Sequence, residues 1–200
     1  MEAKETYASL EKLFPGKVRD FKGDVFEPYL NVEKEDIVEI CRFLRTAQSF
    51  RFEVLSDLTA IDWPKEEKIQ MVYHLFSYAH NHQIILKVDL PRDNPKIATV
   101  EGQWKVANWF EREIYDLYGV PFTGHPDMRR ILTDYGFEGY PLRKDFPLTG
   151  FVEVRYDDEQ KRVVNEPVRL AQEFRNFDFL SPWEGTDYVL PGDEKAAKPG

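Results

Sequence analysis

The sequence predicts an α+β fold: a two-layer α/β domain with a mixed or antiparallel sheet over residues 1–118, then a C-terminal extended arm that carries one hairpin. Three observations predict it. Apolar residues recur with helical and strand periods in the order α-β-β-α-β-β-β-α. Two long strand-like runs, Ile69 to Tyr78 and Gln83 to Leu90, are separated only by a polar turn. After Tyr118 the composition shifts, because eight of the 13 prolines and eight of the 11 glycines fall there.

Taken in order, Tyr7, Leu10, Leu13 and Phe14 make an amphipathic first helix stopped by Pro15-Gly16. Val18 to Phe21 and Val25 to Val32 flank the turn Lys22-Gly23-Asp24 and read as a hairpin, with Pro28 marking the second strand as an edge or a bulge. Glu33 to Ala47 reads as a second helix. Phe52 to Trp63 is apolar and acidic by turns and ends at Pro64; the two long strands follow, the second closed by Pro91. After the turn Asp93-Asn94-Pro95, Trp104 to Tyr118 reads as the third helix.

At about 100° per residue, Val106, Ala107, Phe110, Ile114 and Leu117 share one stripe of that helix, and Glu113 falls inside it. Arg112 and Asp116 lie one turn apart on the opposite side, so Glu111 and Arg112 are read as outward neighbours of an inward Glu113. A desolvated acid needs an arginine or several N–H donors. Arg129 and Arg130 follow a coil with enough Gly and Pro to fold back, and adjacent residues of extended chain face opposite ways. One arginine is therefore expected to pair with Glu113 and the other to point at a partner.

From Gly119 to Gly150 no period holds, yet apolar residues such as Val120, Phe122, Met128, Ile131, Tyr140 and Phe146 recur throughout. That much apolar mass is unlike disorder, and so long a loop must be ordered by packing. With the hairpin Val152 to Tyr156 and Lys161 to Asn165, residues 119–190 read as an arm completed by contact, and the amides from Gly119 to Gly185 are expected to exchange fast in the isolated chain and slowly in an assembly. Residues 191–200 read as a disordered tail. The coil's acids Asp127, Asp134, Glu138 and Asp145 balance its bases Arg129, Arg130, Arg143 and Lys144, so it is no nucleic-acid stripe.

Composition excludes several classes. At 42% hydrophobic the 200 residues can bury a real core, and no apolar run approaches the ~18 residues of a transmembrane segment. A net charge of −9 disfavours nucleic acid and anionic lipid. The acidic start reads as neither secretory signal nor transit peptide, and Met1 as the start of an unprocessed bacterial product. Cys41, the single cysteine, shares a face with Ile37, Val38, Ile40 and Leu44 and reads as a small buried hydrophobe; alone it holds no cluster. His80 and His82 flank Asn81 in a turn and could be half a metal site, but no third ligand follows, so a solvated turn is the reading. His74 reads as a sheet histidine. Asp57 and Asp62 invite an acid/base pair, yet strand parity sets them on opposite faces. No nucleophile elbow, phosphate loop or dinucleotide fingerprint is present.

The string E-R-E-x-x-D-L-Y-G from Glu111, His125-Pro126-Asp127, and R-R-I-L-T-D-Y-G-F-E-G-Y-P-L-R-K-D-F-P from Arg129 resembles the 30 kDa subunit of respiratory complex I, NADH:quinone oxidoreductase, in its bacterial form. The resemblance runs from about Phe52, through D-L-T-A-I-D-W-P at 57 to 64 and V-E-V-R-Y-D-D-E-Q-K-R-V-V at 152 to 164, to S-P-W-E-G at 181 to 185. It implies a non-catalytic structural subunit of the peripheral arm. Its partners would be the large quinone-site (49 kDa-type) subunit, the terminal-cluster subunit and other peripheral-arm subunits. FMN and iron-sulfur clusters would sit in other subunits, with none in this chain, at the cytoplasmic side of the cell inner membrane. The interface residues expected are Glu111, Arg112, Glu113, Asp116, His125, Arg129, Arg130, Arg143, Lys144 and Asp145, with His125 orienting the coil by hydrogen bonds. Two other readings are a hydrolase using Glu113, Asp62 and His125, and the equivalent subunit of a membrane-bound hydrogenase-type complex.

Overall fold

The structure is a computed structural model and describes residues 3–169. The expected tail at 191–200 and the S-P-W-E-G motif lie outside the described residues. The helix α1 (Ala3–Leu13) leads into β1 (Val18–Lys22), β2 (Tyr29–Val32) and α2 (Ile37–Thr46). Then come β3 (Val54–Trp63), β4 (Lys68–Ser77), β5 (His82–Pro91), the short β6 (Ile97–Ala98), α3 (Ala107–Tyr118) and the short β7 (Phe122–Thr123). The hairpin β8 (Val152–Asp157) and β9 (Arg162–Pro167) closes the described chain.

Five strands form one mixed sheet in the order β1-β2-β5-β4-β3, in which only β2 and β5 run parallel. Met71, Tyr73 and Leu75 of β4 and Leu86 and Val88 of β5 face one core with Leu10 of α1, Ile40 and Leu44 of α2, and Ala107 and Ile114 of α3. A bulge in β3 between Leu55 and Asp57 lets Leu55 and Leu58, an odd distance apart, both reach that core. Ala60 and Asp62 then share the phase of Leu58 and are buried, while Asp57 is exposed.

Element boundaries differ from the sequence reading by three residues or more in three places. The strand expected from Val25 begins at Tyr29, and Val25 and Phe26 stand in solvent. Pro28 donates nothing, but its carbonyl accepts the Ile85 N–H and starts the parallel pairing. The second helix begins at Ile37, because Asp36 N–H bonds the Glu33 carbonyl in a turn. The third begins at Ala107. Its upstream residues make tight turns, Gln103 and Trp104 both donating to the Val100 carbonyl, and the Trp104 indole N–H reaches the Phe52 carbonyl. That anchor leaves Val106 42% exposed and rotates the buried stripe of α3.

The chain divides into two compact units after Phe151. In the first, the 119–151 coil is hydrogen-bonded onto α3. In the second, β8 and β9 put Val152, Val154, Tyr156 and Val163 on one face, all more than half exposed. Their other face carries Arg155, which donates to Glu166 across the strands.

Candidate functional site

The site is the polar side of α3 together with the coil that winds on it. Two acids of the helix, Glu111 and Asp116, are completely buried, and Glu113 is exposed. The expectation of an inward Glu113 is therefore corrected. Placing Val106 on the buried stripe set the helix roughly a fifth of a turn out of phase, and with Val106 in solvent the stripe runs through Ala107, Glu111 and Ile114.

Asp116 organises the first part of the coil. Its Oδ2 accepts the backbone N–H groups of Ile131 (2.9 Å), Leu132 (2.7 Å) and Thr133 (2.9 Å), and its Oδ1 accepts the Thr133 hydroxyl (2.5 Å) and Arg130 Nη1 (2.9 Å). Burial works against its charge, but this set of donors outweighs it and holds the carboxyl well below the usual range. The two arginines do face apart: Arg130 is 27% exposed on Asp116, and Arg129 is 77% exposed and paired with its neighbour Asp127. The inner acid is Asp116, and neither arginine pairs with Glu113.

Other groups fasten the same coil. Arg112 donates from Nε to the Arg129 carbonyl at 3.0 Å. Arg143 Nε donates to the Tyr118 carbonyl at 2.6 Å, and the Arg130 and Arg143 guanidinium groups lie 5.3 and 5.0 Å from the Tyr140 ring. Tyr140 in turn lies on Gly119, the left-handed residue that ends α3 (φ 72°), so closely that a Cβ there would sit 2.6 Å from the ring.

A second anchor was missed from sequence. Asp62 accepts Arg92 through Nε (2.7 Å) and Nη2 (3.0 Å), and the Lys144 backbone N–H at 2.8 Å. The hydrogen-bonded Arg92 guanidinium holds the Asp62 carboxyl below its ordinary range, and it also reaches the exposed Asp145 at 3.1 Å. The signal was available: Asp62 shares strand phase with Leu58 and Ala60, which marks a buried acid in need of a cation.

Glu111 is held differently. Its Oε2 accepts the Thr99 hydroxyl (2.5 Å) and its Oε1 the Val100 N–H (2.8 Å), and among the described residues no lysine or arginine pairs with it. His125 Nε2 lies 4.0 Å away but is engaged with the Asn108 carbonyl at 3.2 Å, while its Nδ1 accepts the Asp127 N–H at 3.0 Å. These two bonds tie the ring to α3 and to the start of the coil. Burial pushes the Glu111 carboxyl up to about 7.

The hydrolase trio is not assembled as read, because Glu113 faces solvent and Asp62 is consumed by Arg92 and Lys144. His80 contacts the Gln48 carbonyl, and His82 stacks on it with ring centroids 5.7 Å apart. Among the described residues no three His, Cys, Asp or Glu side chains cluster as a metal site. Cys41 is buried, and burial drives its thiol far above its ordinary range.

Comparison with known proteins bears on this geometry. Residues 30–152 match the family described as "Respiratory-chain NADH dehydrogenase, 30 Kd subunit". The chain is 59% identical over 187 residues to the C subunit of NADH-quinone oxidoreductase from Chelativorans sp. (strain BNC1), covering 93% of this chain and 92% of the relative. It is 54% identical over 199 residues to the corresponding NADH-quinone oxidoreductase subunit of Azorhizobium caulinodans, covering 98% and 94%. Among solved structures it is similar to a chain of the membrane-bound sulfane sulfur reductase, an archaeal respiratory membrane complex, with TM-score 0.63 and 28% identity over 72% of this chain and 85% of that one. A trypsin-resistant fragment of Nqo5 aligns with TM-score 0.51 and 27% identity, over 64% of this chain and 99% of the fragment.

Proposed function

The chain belongs to the family of the 30 kDa subunit of respiratory-chain NADH dehydrogenase, and from that premise we propose that it is a structural subunit whose coil and hairpin dock on the large quinone-site subunit. It is a subunit of NADH-quinone oxidoreductase, a multi-subunit complex. None of the helices in the described residues is long and apolar enough to cross a membrane. In our reading it sits peripherally at the cytoplasmic side of the cell inner membrane, beside the terminal-cluster subunit. Flavin and clusters are held elsewhere and no active site is its own.

The observation that carries this reading is a mismatch along one segment. The coil's backbone is pinned to α3 by Asp116, Arg112 and Arg143, yet Leu132, Tyr135 and Leu148 point into solvent. A segment held this firmly with its apolar side chains outward presents a surface to a partner. The exposed valines and Tyr156 of the hairpin add a second apolar face of the same kind. Photo-crosslinking groups at Tyr135 and Val154 in the membrane complex test it. Adducts with the large quinone-site subunit are expected; adducts exclusively with other subunits, or none, would reject the docking.

The likeness to the sulfane sulfur reductase favours a second reading, the equivalent subunit of a related membrane complex. The relatives at 54% and 59% identity favour the first. Purifying the assembly that contains this chain, and assaying it for NADH-quinone activity and flavin, separates the two.

A further inference from the structure

Three buried acids hold this unit together, and one of them lacks a cation. Asp62 has Arg92 and Asp116 has Arg130, but Glu111 has two uncharged donors and, among the described residues, no lysine or arginine. We propose that Glu111 is a buried proton-binding group which, with Thr99 and the His125 turn, forms a clasp on the 97–101 and 122–127 segments, closed when the carboxyl carries a proton and slackened when it ionises.

The titratable groups facing Glu111 offer its charge no relief. Glu101 on the adjoining loop opposes it, and Tyr73 of β4 and Cys41 of α2 are buried close enough to feel it. The Tyr73 hydroxyl has no hydrogen-bond partner within the described residues. His125, from the turn after β7, is 4.0 Å away with its Nε2 toward the Asn108 carbonyl and its Nδ1 occupied by the Asp127 N–H. An unpaired carboxylate in such surroundings neutralises instead.

Thr99 is the partner that makes the change reversible. Its hydroxyl donates to Glu111 Oε2 at 2.5 Å and can turn to accept from the protonated acid, while also accepting the Glu101 N–H. The same residue carries the mechanical link, because its N–H donates to the Thr123 carbonyl beside the β6–β7 pairing. Ionisation of Glu111 therefore strains α3, the 97–101 loop and the root of the coil together.

The sign follows from linkage. The folded value, about 7, lies above that of an unfolded glutamate, about 4.3. The clasp is at full strength below the lower value, weakens as pH rises through the window between them, and changes no further above it. Its reporter is the Val100 amide, which donates directly to Glu111.

The test uses the full chain labelled with 13C at glutamate carboxyls, with amide exchange read at Val100. The Glu111 carboxyl is expected to titrate near neutrality. Val100 opening, corrected for intrinsic exchange, should rise on the order of tenfold or more between about pH 5 and about pH 8. Glu111→Gln, which keeps the neutral shape, should make that opening independent of pH. Thr99→Val removes a donor that favours the ionised form and should move the midpoint further up, a readout that needs no Gln variant. A carboxyl titrating in the ordinary glutamate range, an unmoved midpoint in Thr99→Val, or Val100 opening that does not respond to pH in the wild-type chain would each overturn the proposal.

Discussion

At the scale of single residues, Asp116 and Glu113 are three apart on one helix and opposite in consequence. Removing the Asp116 carboxylate strands the three backbone N–H donors of residues 131–133 and takes the carboxylate from the Arg130 guanidinium, which keeps the Asp116 and Gly139 carbonyls. Asp116→Ala should therefore cost roughly 3–5 kcal/mol, the range for breaking a buried charged pair. Asp116→Asn should recover little, since its NH₂ group would face donors rather than acceptors. Glu113→Ala, at an exposed position, should stay within about 0.5 kcal/mol. Urea unfolding midpoints check all three. The pH dependence has its own sign: the Asp116 carboxyl is depressed on folding, so its stabilisation is present above the ordinary aspartate value of about 3.9 and is lost as pH falls below it. Asp62 acts in the same direction and Glu111 in the opposite one. Sequence periodicity put Glu113 on the buried side, which the structure corrects, while the alternation of extended chain separated an inward from an outward arginine. Which acid is buried depends on the phase of the helix, which the Trp104 anchor decides through a contact with Phe52, distant in sequence.

At the scale of elements, the joint between α3 and the coil rests on Gly119 and Tyr140. Gly119→Ala meets two obstacles, a left-handed backbone and a ring 2.6 Å from the new Cβ. The backbone part costs about 1–2 kcal/mol, and displacing Tyr140 from its contacts with Arg130 and Arg143 adds to it. In a Tyr140→Ala background the second part should vanish, so a double-mutant cycle in denaturant should show the two changes to be less than additive. Full additivity would mean that the ring does not brace the helix end. The long strands were legible almost to the residue, because Ile69 to Tyr78 and Gln83 to Leu90 differ from β4 and β5 by one residue at each end. The β3 bulge and the late start of α3 were not, since both are settled by packing across the sheet rather than by local period. Strand phase marks Asp62 as a buried acid, but its partners were hidden for a like reason: they stand at 92 and 144 and meet it only when β5 and the coil are folded.

At the scale of the molecule, the two units carry their apolar surface differently. The first buries a full core and leaves scattered apolar side chains uncovered, among them Phe26, Trp109 and the outward Leu132, Tyr135 and Leu148 of the coil, while the hairpin exposes one whole apolar face. Amides of β8 and β9 should therefore exchange fast in the free chain and slowly in the complex, and those of residues 131–133, fastened by Asp116, should change much less. Equal protection of the hairpin in both states would show it to be self-sufficient. Assembly gives the more demanding prediction. Asp116→Asn and Arg130→Ala release the coil from α3 without touching a reacting group in our reading, so the surface offered to the partner loses its shape. Membranes should then contain less assembled complex. NADH:quinone activity should fall with that amount, and turnover normalised to flavin should stay near wild type. Glu113→Ala should leave both quantities unchanged, although it lies in the same E-R-E-x-x-D motif. A complex that assembles at wild-type levels but turns over many-fold more slowly would give Asp116 or Arg130 a coupling role, and the scaffold account of this chain would fail.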